Sequence, residues 1–75
     1  MTTDLKHILI FKTNIETERQ KQRVQATLDT HEHILQWNID QHDIDCVLRI
    51  VSNTLTTEQI ICLIKHHGFE CTELE

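Results

Sequence analysis

The chain has 75 residues, a formal net charge of −5 and one glycine with no proline. A chain of that size closes one modest core, burying roughly 60% of its unfolded surface, and a partner subunit adds weight to such a small domain. An apolar content of 39% argues against a disordered tail, and the acidic balance argues against nucleic acid, whose phosphates need clustered Lys and Arg. Arg19, Lys21 and Arg23 do lie close together, but Glu16, Glu18 and Asp29 flank them, as on a solvated helix face. The longest apolar run, Ile8 to Phe11, is too short to span a membrane, and Met1 to Lys6 lacks the regions of a secretory signal. A cytoplasmic, bacterial-type protein is the expectation.

In chain order, His7-Ile-Leu-Ile-Phe-Lys12 is β-branched and aromatic, and Thr13-Asn14 follows it, which predicts a strand. Strong helix formers run from about Glu16 to Asp29, with Thr17, Lys21, Val24 and Leu28 tracing a thin stripe. Thr17-x-x-Gln20 has the form of a capping box at its start. From Ile34 to Asp40, Leu35, Trp37 and Ile39 alternate with Gln36 and Asn38 as in a half-buried strand. Asp40 to Asp45 is a polar connector, and Cys46 to Ser52 a further strand, so this pair makes an antiparallel hairpin. Leu55-Thr56-Thr57-Glu58-Gln59-Ile60 predicts a second helix with Thr56 as cap, Gln59 closing the box and Leu55 stapled onto Ile60. Ile60, Leu63, Ile64 and His67 share its apolar face, and Gly68 stands where a left-handed cap needs glycine. Phe69 to Leu74 supplies a short last strand.

The order β-α-β-β-α-β is the ferredoxin-like split βαβ arrangement, an α+β sandwich. Right-handed crossovers place the first strand beside the third and fourth in a four-stranded antiparallel sheet, with both helices on one face. One domain spans residues 1–75.

Three stretches bear a resemblance. Phe11-Lys12-Thr13-Asn14-Ile15 resembles the lead-in of bacterial heavy-metal-associated domains, and Trp37-Asn38-Ile39-Asp40 is similar to their second strand. Ile60 to Phe69 looks like their second helix, which ends in Gly-Phe or Gly-Tyr. Members of that family carry a Cys-x-x-Cys pair in the first strand–helix loop. Aligned so, the two thiolate positions fall on Thr17 and Gln20. A hydroxyl and an amide do not hold a soft cation that wants thiolate. The resemblance therefore implies the frame of a metal carrier with no metal at the family site, and no cofactor is expected.

Two kinds of function lead, with a small-ligand sensor, for which the sequence offers no pocket signature, as a third. In the first, the domain is a non-catalytic protein-interaction or self-assembly module. If Leu9, Phe11, Leu48 and Ile50 face the helices, then Ile8, Ile10, Val47 and Val51 form an apolar patch on the opposite sheet face, broken only by Arg49. Its partner is a second copy of the chain or another protein. In the second, a transition metal such as zinc, nickel or copper is bound by His and carboxylate. The loop between the first strand and the first helix, the Asp40–Asp45 connector and the turn after the second helix share one pole, which gathers Glu16, Glu18, His42, His66 and His67, while His7, His31 and His33 lie at the other. Catalysis finds no nucleophile with a visible base, no phosphate-cradling glycines and no calcium loop around Asp40, Asp43 and Asp45. Cys46, Cys62 and Cys71 form no short pair, so free thiols acting as small apolar residues are expected.

Overall fold

The computed structural model of the protein describes residues 7–74, and for His7 the backbone only. The start from Met1 to Lys6 and the expected position of the His7 side chain lie outside the described residues. The elements are β1 (His7–Thr13), α1 (Glu18–Thr30), β2 (Gln36–Asp40), β3 (Val47–Ser52), α2 (Thr57–His66) and β4 (Cys71–Glu73). The strands form one sheet in the order β2-β3-β1-β4, all pairs antiparallel. This is the ferredoxin-like α+β arrangement that the element order predicts.

Alternation along the strands decides which face is dry. Phe11, Leu48, Ile50 and Cys71 point one way and cluster with Val24 and Leu28 of α1 and Ile60 and Ile64 of α2. Both helices therefore cover one face of the sheet. Each fully buried Leu, Ile, Val or Phe contributes about 1.5–3 kcal/mol of transfer free energy, so this single cluster supplies most of what holds so short a chain together. Ile15 and Ile34, in the segments before α1 and β2, close the cluster at 0% and 9% exposure.

Both helices begin at complete capping boxes. Thr17 Oγ1 accepts from Gln20 N at 3.1 Å and Thr56 Oγ1 accepts from Gln59 N at 3.2 Å, while each glutamine Oε1 accepts from the cap's own backbone N–H. A cap of this kind is worth about 1 kcal/mol. The end of α2 is a Schellman turn: Gly68 N donates to Lys65 O, and Phe69 N reaches back to Ile64 O. Phe69 and Ile64 then meet in the core, the apolar contact that accompanies this turn.

The hairpin between β2 and β3 differs in one respect from the alternation in the sequence. The strand starts at Gln36, and Ile34 rather than Leu35 reaches the core, leaving Leu35 52% exposed. The reason is local: Ile34 N donates to His31 O, a turn that rotates the chain before Leu35 N pairs with Val51 O. Trp37 is half-buried, and its indole N–H donates to Asp29 Oδ1 at 2.7 Å, pinning the end of α1 to β2.

Gly68 sits at φ +90°, and a Cβ built there meets nothing within 4 Å. Gly68→Ala should therefore lose stability by about 1 kcal/mol from the left-handed backbone alone, without steric disruption of α2. Chemical denaturation with unchanged helical circular dichroism would show this, and an unaltered midpoint would contradict it.

Candidate functional site

The loop from Asn14 to Thr17 is built by side chains that replace missing backbone partners. Buried Thr13 donates through Oγ1 to Cys46 O at 2.7 Å and accepts there from Ile15 N at 3.2 Å. Thr13 N also donates to Asp45 O, so one residue ties β1 to the end of the β2–β3 connector. Gln41 Nε2 donates to Thr17 O at 2.8 Å and to Ile15 O at 3.4 Å, drawing the connector onto the loop from the other side. Asn14 Oδ1 accepts from Glu70 N at 2.8 Å, bringing in the turn after α2. The three segments expected at one pole are thus joined there by hydrogen bonds.

What occupies the centre of that pole is a cap. Gln20 Oε1 accepts from Glu16 N at 2.7 Å and from Thr17 N at 3.0 Å, and Thr17 Oγ1 is engaged with Gln20 N. The side-chain oxygens at positions 17 and 20 are spent on the first turn of α1, and neither chemistry suits a soft cation.

The histidines and acids at this pole do not converge. Among the described residues no three His, Cys, Asp or Glu side chains stand close enough to hold a metal ion together, so Glu16, His42, His66 and His67 make no ready set of ligands. Consecutive helical positions point about 100° apart, which separates His66 from His67. His67 caps α2 half-buried, whereas His66 turns outward along the helix. At the opposite pole the rings of His31 and His33 lie 5.8 Å apart, with His33 N donating to His31 Nδ1.

The cysteines divide. Cys46 and Cys71 are buried, as small apolar residues are, but Cys62 is exposed, contrary to the expectation for all three. Ile60 and Ile64 take the buried stripe of α2, so position 62 falls on the outer side of the helix. Burial first, and then the carboxylates of Glu16, Asp43, Asp45 and Asp40, raise the Cys46 thiol above its usual value. Burial likewise pushes Cys71 up from 9.0 to about 11, with Lys65 opposing weakly. Both thiols are held protonated at neutral pH, the opposite of a reactive or metal-ready thiolate.

The open sheet face is apolar but narrower than expected. Ile8 is 64% exposed and Ile10 36%, Val51 is half-buried beside Ile8, and Val47 is only 5% exposed at its pairing with Asp40. Val47 therefore offers no contact area, and Arg49 sits opposite Ile10. The sequence reading passed over Ile44, which is 94% exposed in the connector between Asp43 and Asp45. The signal available was a lone isoleucine inside an acidic loop with no strand to place it in.

With this geometry in view, the fold can be set beside solved structures. The fold matches a solved structure of the CsoZ metallochaperone with a TM-score of 0.75 and 23% sequence identity, over 89% of this chain and 97% of that one. No protein-family model matches the chain, and no curated protein does. The likeness establishes the shared fold.

Thiol chemistry provides a check. A neutral alkylating reagent should label Cys62 alone in the native protein and all three cysteines after unfolding. Because the folded Cys71 value lies above its unfolded one, its stability contribution is present at neutral pH and lost as pH rises from 9.0 toward about 11. The stability of Cys62→Ser against denaturation should fall over that window. Native labelling of Cys46 or Cys71, or stability that rises there, would contradict the burial described.

Proposed function

We propose that the domain is a non-catalytic binding module on a heavy-metal-associated-like frame, in which the loop that carries thiolate ligands in that family is given over to helix capping. The observation that carries this reading is the Thr17–Gln20 box, whose oxygens are consumed by Gln20 N, Thr17 N and Glu16 N. A residue pair locked into a cap stabilises α1 and offers nothing for a soft cation.

The contact surface in this reading is the uncovered side of the sheet. Ile8 and Ile10 stand on the central strand with Val51 between β1 and β2, and β-branched side chains on a flat sheet pair well with their own copies across a two-fold axis. Exposed apolar groups that cluster mark contact surfaces more often than scattered ones do. Ile44 at the capped pole adds a second apolar point for a different protein. The partner of first choice is a second copy of the chain, in a cytoplasmic setting.

The competing reading, a carrier of zinc, nickel or copper through Glu16, His42, His66 and His67, draws support from the metallochaperone that shares the fold. The scatter of those four side chains weighs against it.

Sedimentation velocity tests the assembly reading. The protein should show a concentration-dependent dimer, and Ile8→Glu with Ile10→Glu should return it to monomer with its Trp37 fluorescence intact. A wild-type protein that stays monomeric at high concentration, or a dimer unchanged in the double variant, would overturn it.

A further inference from the structure

The helix side of the molecule, opposite the open sheet face, holds a hollow of about 380 Å³ between the C-cap of α1, where His31 stands, and a flank of α2. Its size falls within the ~300–1,000 Å³ of ordinary small-molecule sites. Leu55, Ile60 and Leu63 make an apolar floor, Ile60 fully buried and the two leucines half-buried against the core. Gln59, Leu63 and His66 recur at the spacing that keeps side chains on one side of a helix, so α2 brings two polar groups to the rim beside one leucine. His31 stands half-buried across the hollow from them.

The polar groups at the rim are rich in hydrogen-bond donors. His31 Nδ1 accepts from His33 N at 3.1 Å, so the neutral ring carries its proton on Nε2. Gln59 Oε1 accepts from Thr56 N at 2.9 Å in the cap of α2, which leaves the amide N–H groups as what that side chain offers a ligand. An imidazole holds at least one N–H in either protonation state, so His66 can donate as well. No Asp or Glu among the described residues lines the hollow. Backbone acceptors nearby are engaged: the Schellman turn closes the last carbonyls of α2, and His31 O accepts from Ile34 N.

We propose that the hollow binds a small amphipathic monocarboxylate, its hydrocarbon body on Leu55, Ile60 and Leu63 and its carboxylate on the N–H groups of His31, Gln59 and His66. A donor-rich rim without carboxylates selects an acceptor head. An anion is preferred to a neutral carbonyl because charge-assisted hydrogen bonds are about twice as strong as neutral ones. The apolar floor selects the body, since each methylene fully buried there tightens binding by about fourfold. Ile8 and Ile10 lie on the other face of the sheet and the capped loop at its end, so this site goes beyond the assembly reading and is independent of it.

The test titrates isotopically labelled full-length protein with octanoate, octanol, octylamine and butyrate, each below its aggregation threshold, and follows backbone amide shifts by NMR. Octanoate should saturate one site per chain, with shifts concentrated at His31 and from Leu55 to His66. Butyrate should bind at least tenfold more weakly, and octanol and octylamine more weakly than octanoate. His66→Ala, an exposed position that leaves the fold intact, should weaken octanoate about fivefold and leave octanol unchanged. Leu63→Ala should weaken both. Absence of saturable binding, octanol or octylamine binding as tightly as octanoate, or octanoate affinity indifferent to His66→Ala would each overturn the proposal. Shifts centred on Ile8 and Ile10 would do so too, by showing adsorption to the apolar sheet face.

Discussion

The structure depends on how the chain satisfies its backbone where β1 gives way to α1. A strand running into a helix at a sheet end leaves several N–H and C=O groups without ladder or helix partners, and unpaired buried groups cost about 1–3 kcal/mol each. Here short side chains take every role. The Thr13 hydroxyl serves Ile15 and Cys46, the Gln20 amide serves Glu16 and Thr17, and Gln41 comes from the connector to cover Ile15 and Thr17. No buried side-chain polar atom among the described residues is left without a partner. Because those bonds reach β3 through Cys46 and the connector through Gln41, the same loop sets the register at one end of the sheet.

That arrangement separates frame from chemistry. In the proposed reading, the backbone path that presents ligands in a metal carrier is kept while its side chains are hydroxyl and amide, and the pair holds the helix start. Thr and Gln do so as a capping box, and the fold needs no metal to close the loop. Carboxylates at Glu16, Asp40, Asp43 and Asp45 add negative charge around the buried Cys46 thiol, which further disfavours a thiolate at this pole.

Much of the fold was legible because local signals agreed with one another. The two Thr-x-x-Gln boxes, the single glycine after α2 and the strand alternation in β1 and β3 all appear in the structure as read. Less legible were features set by neighbours in space. Leu35 keeps the alternation of Trp37 and Ile39 yet is exposed, because a turn at His31 to Ile34 hands the core position to Ile34. Val47 has the parity of the open face yet is covered. Cys46 takes a left-handed φ of 44°, unusual for any residue but glycine, and nothing in its type announces that. The outward position of Cys62, by contrast, was present in the helical period of Ile60 and Ile64. Treating all cysteines as core residues hid it. Where histidines meet was beyond the sequence, since side-chain convergence depends on rotations that spacing alone does not fix.

The central claim is that the loop keeps the carrier's frame and has exchanged its ligands for a cap. The most direct measurement is a Cu(I) competition titration of Cys62→Ser beside the same protein with Thr17→Cys and Gln20→Cys added. The account predicts that the restored pair binds one Cu(I) per chain far more tightly than its parent, while losing about 1 kcal/mol of stability with the cap. Equal affinity in the two proteins, with both folded, would show that the loop is not the frame of such a site and would contradict the account.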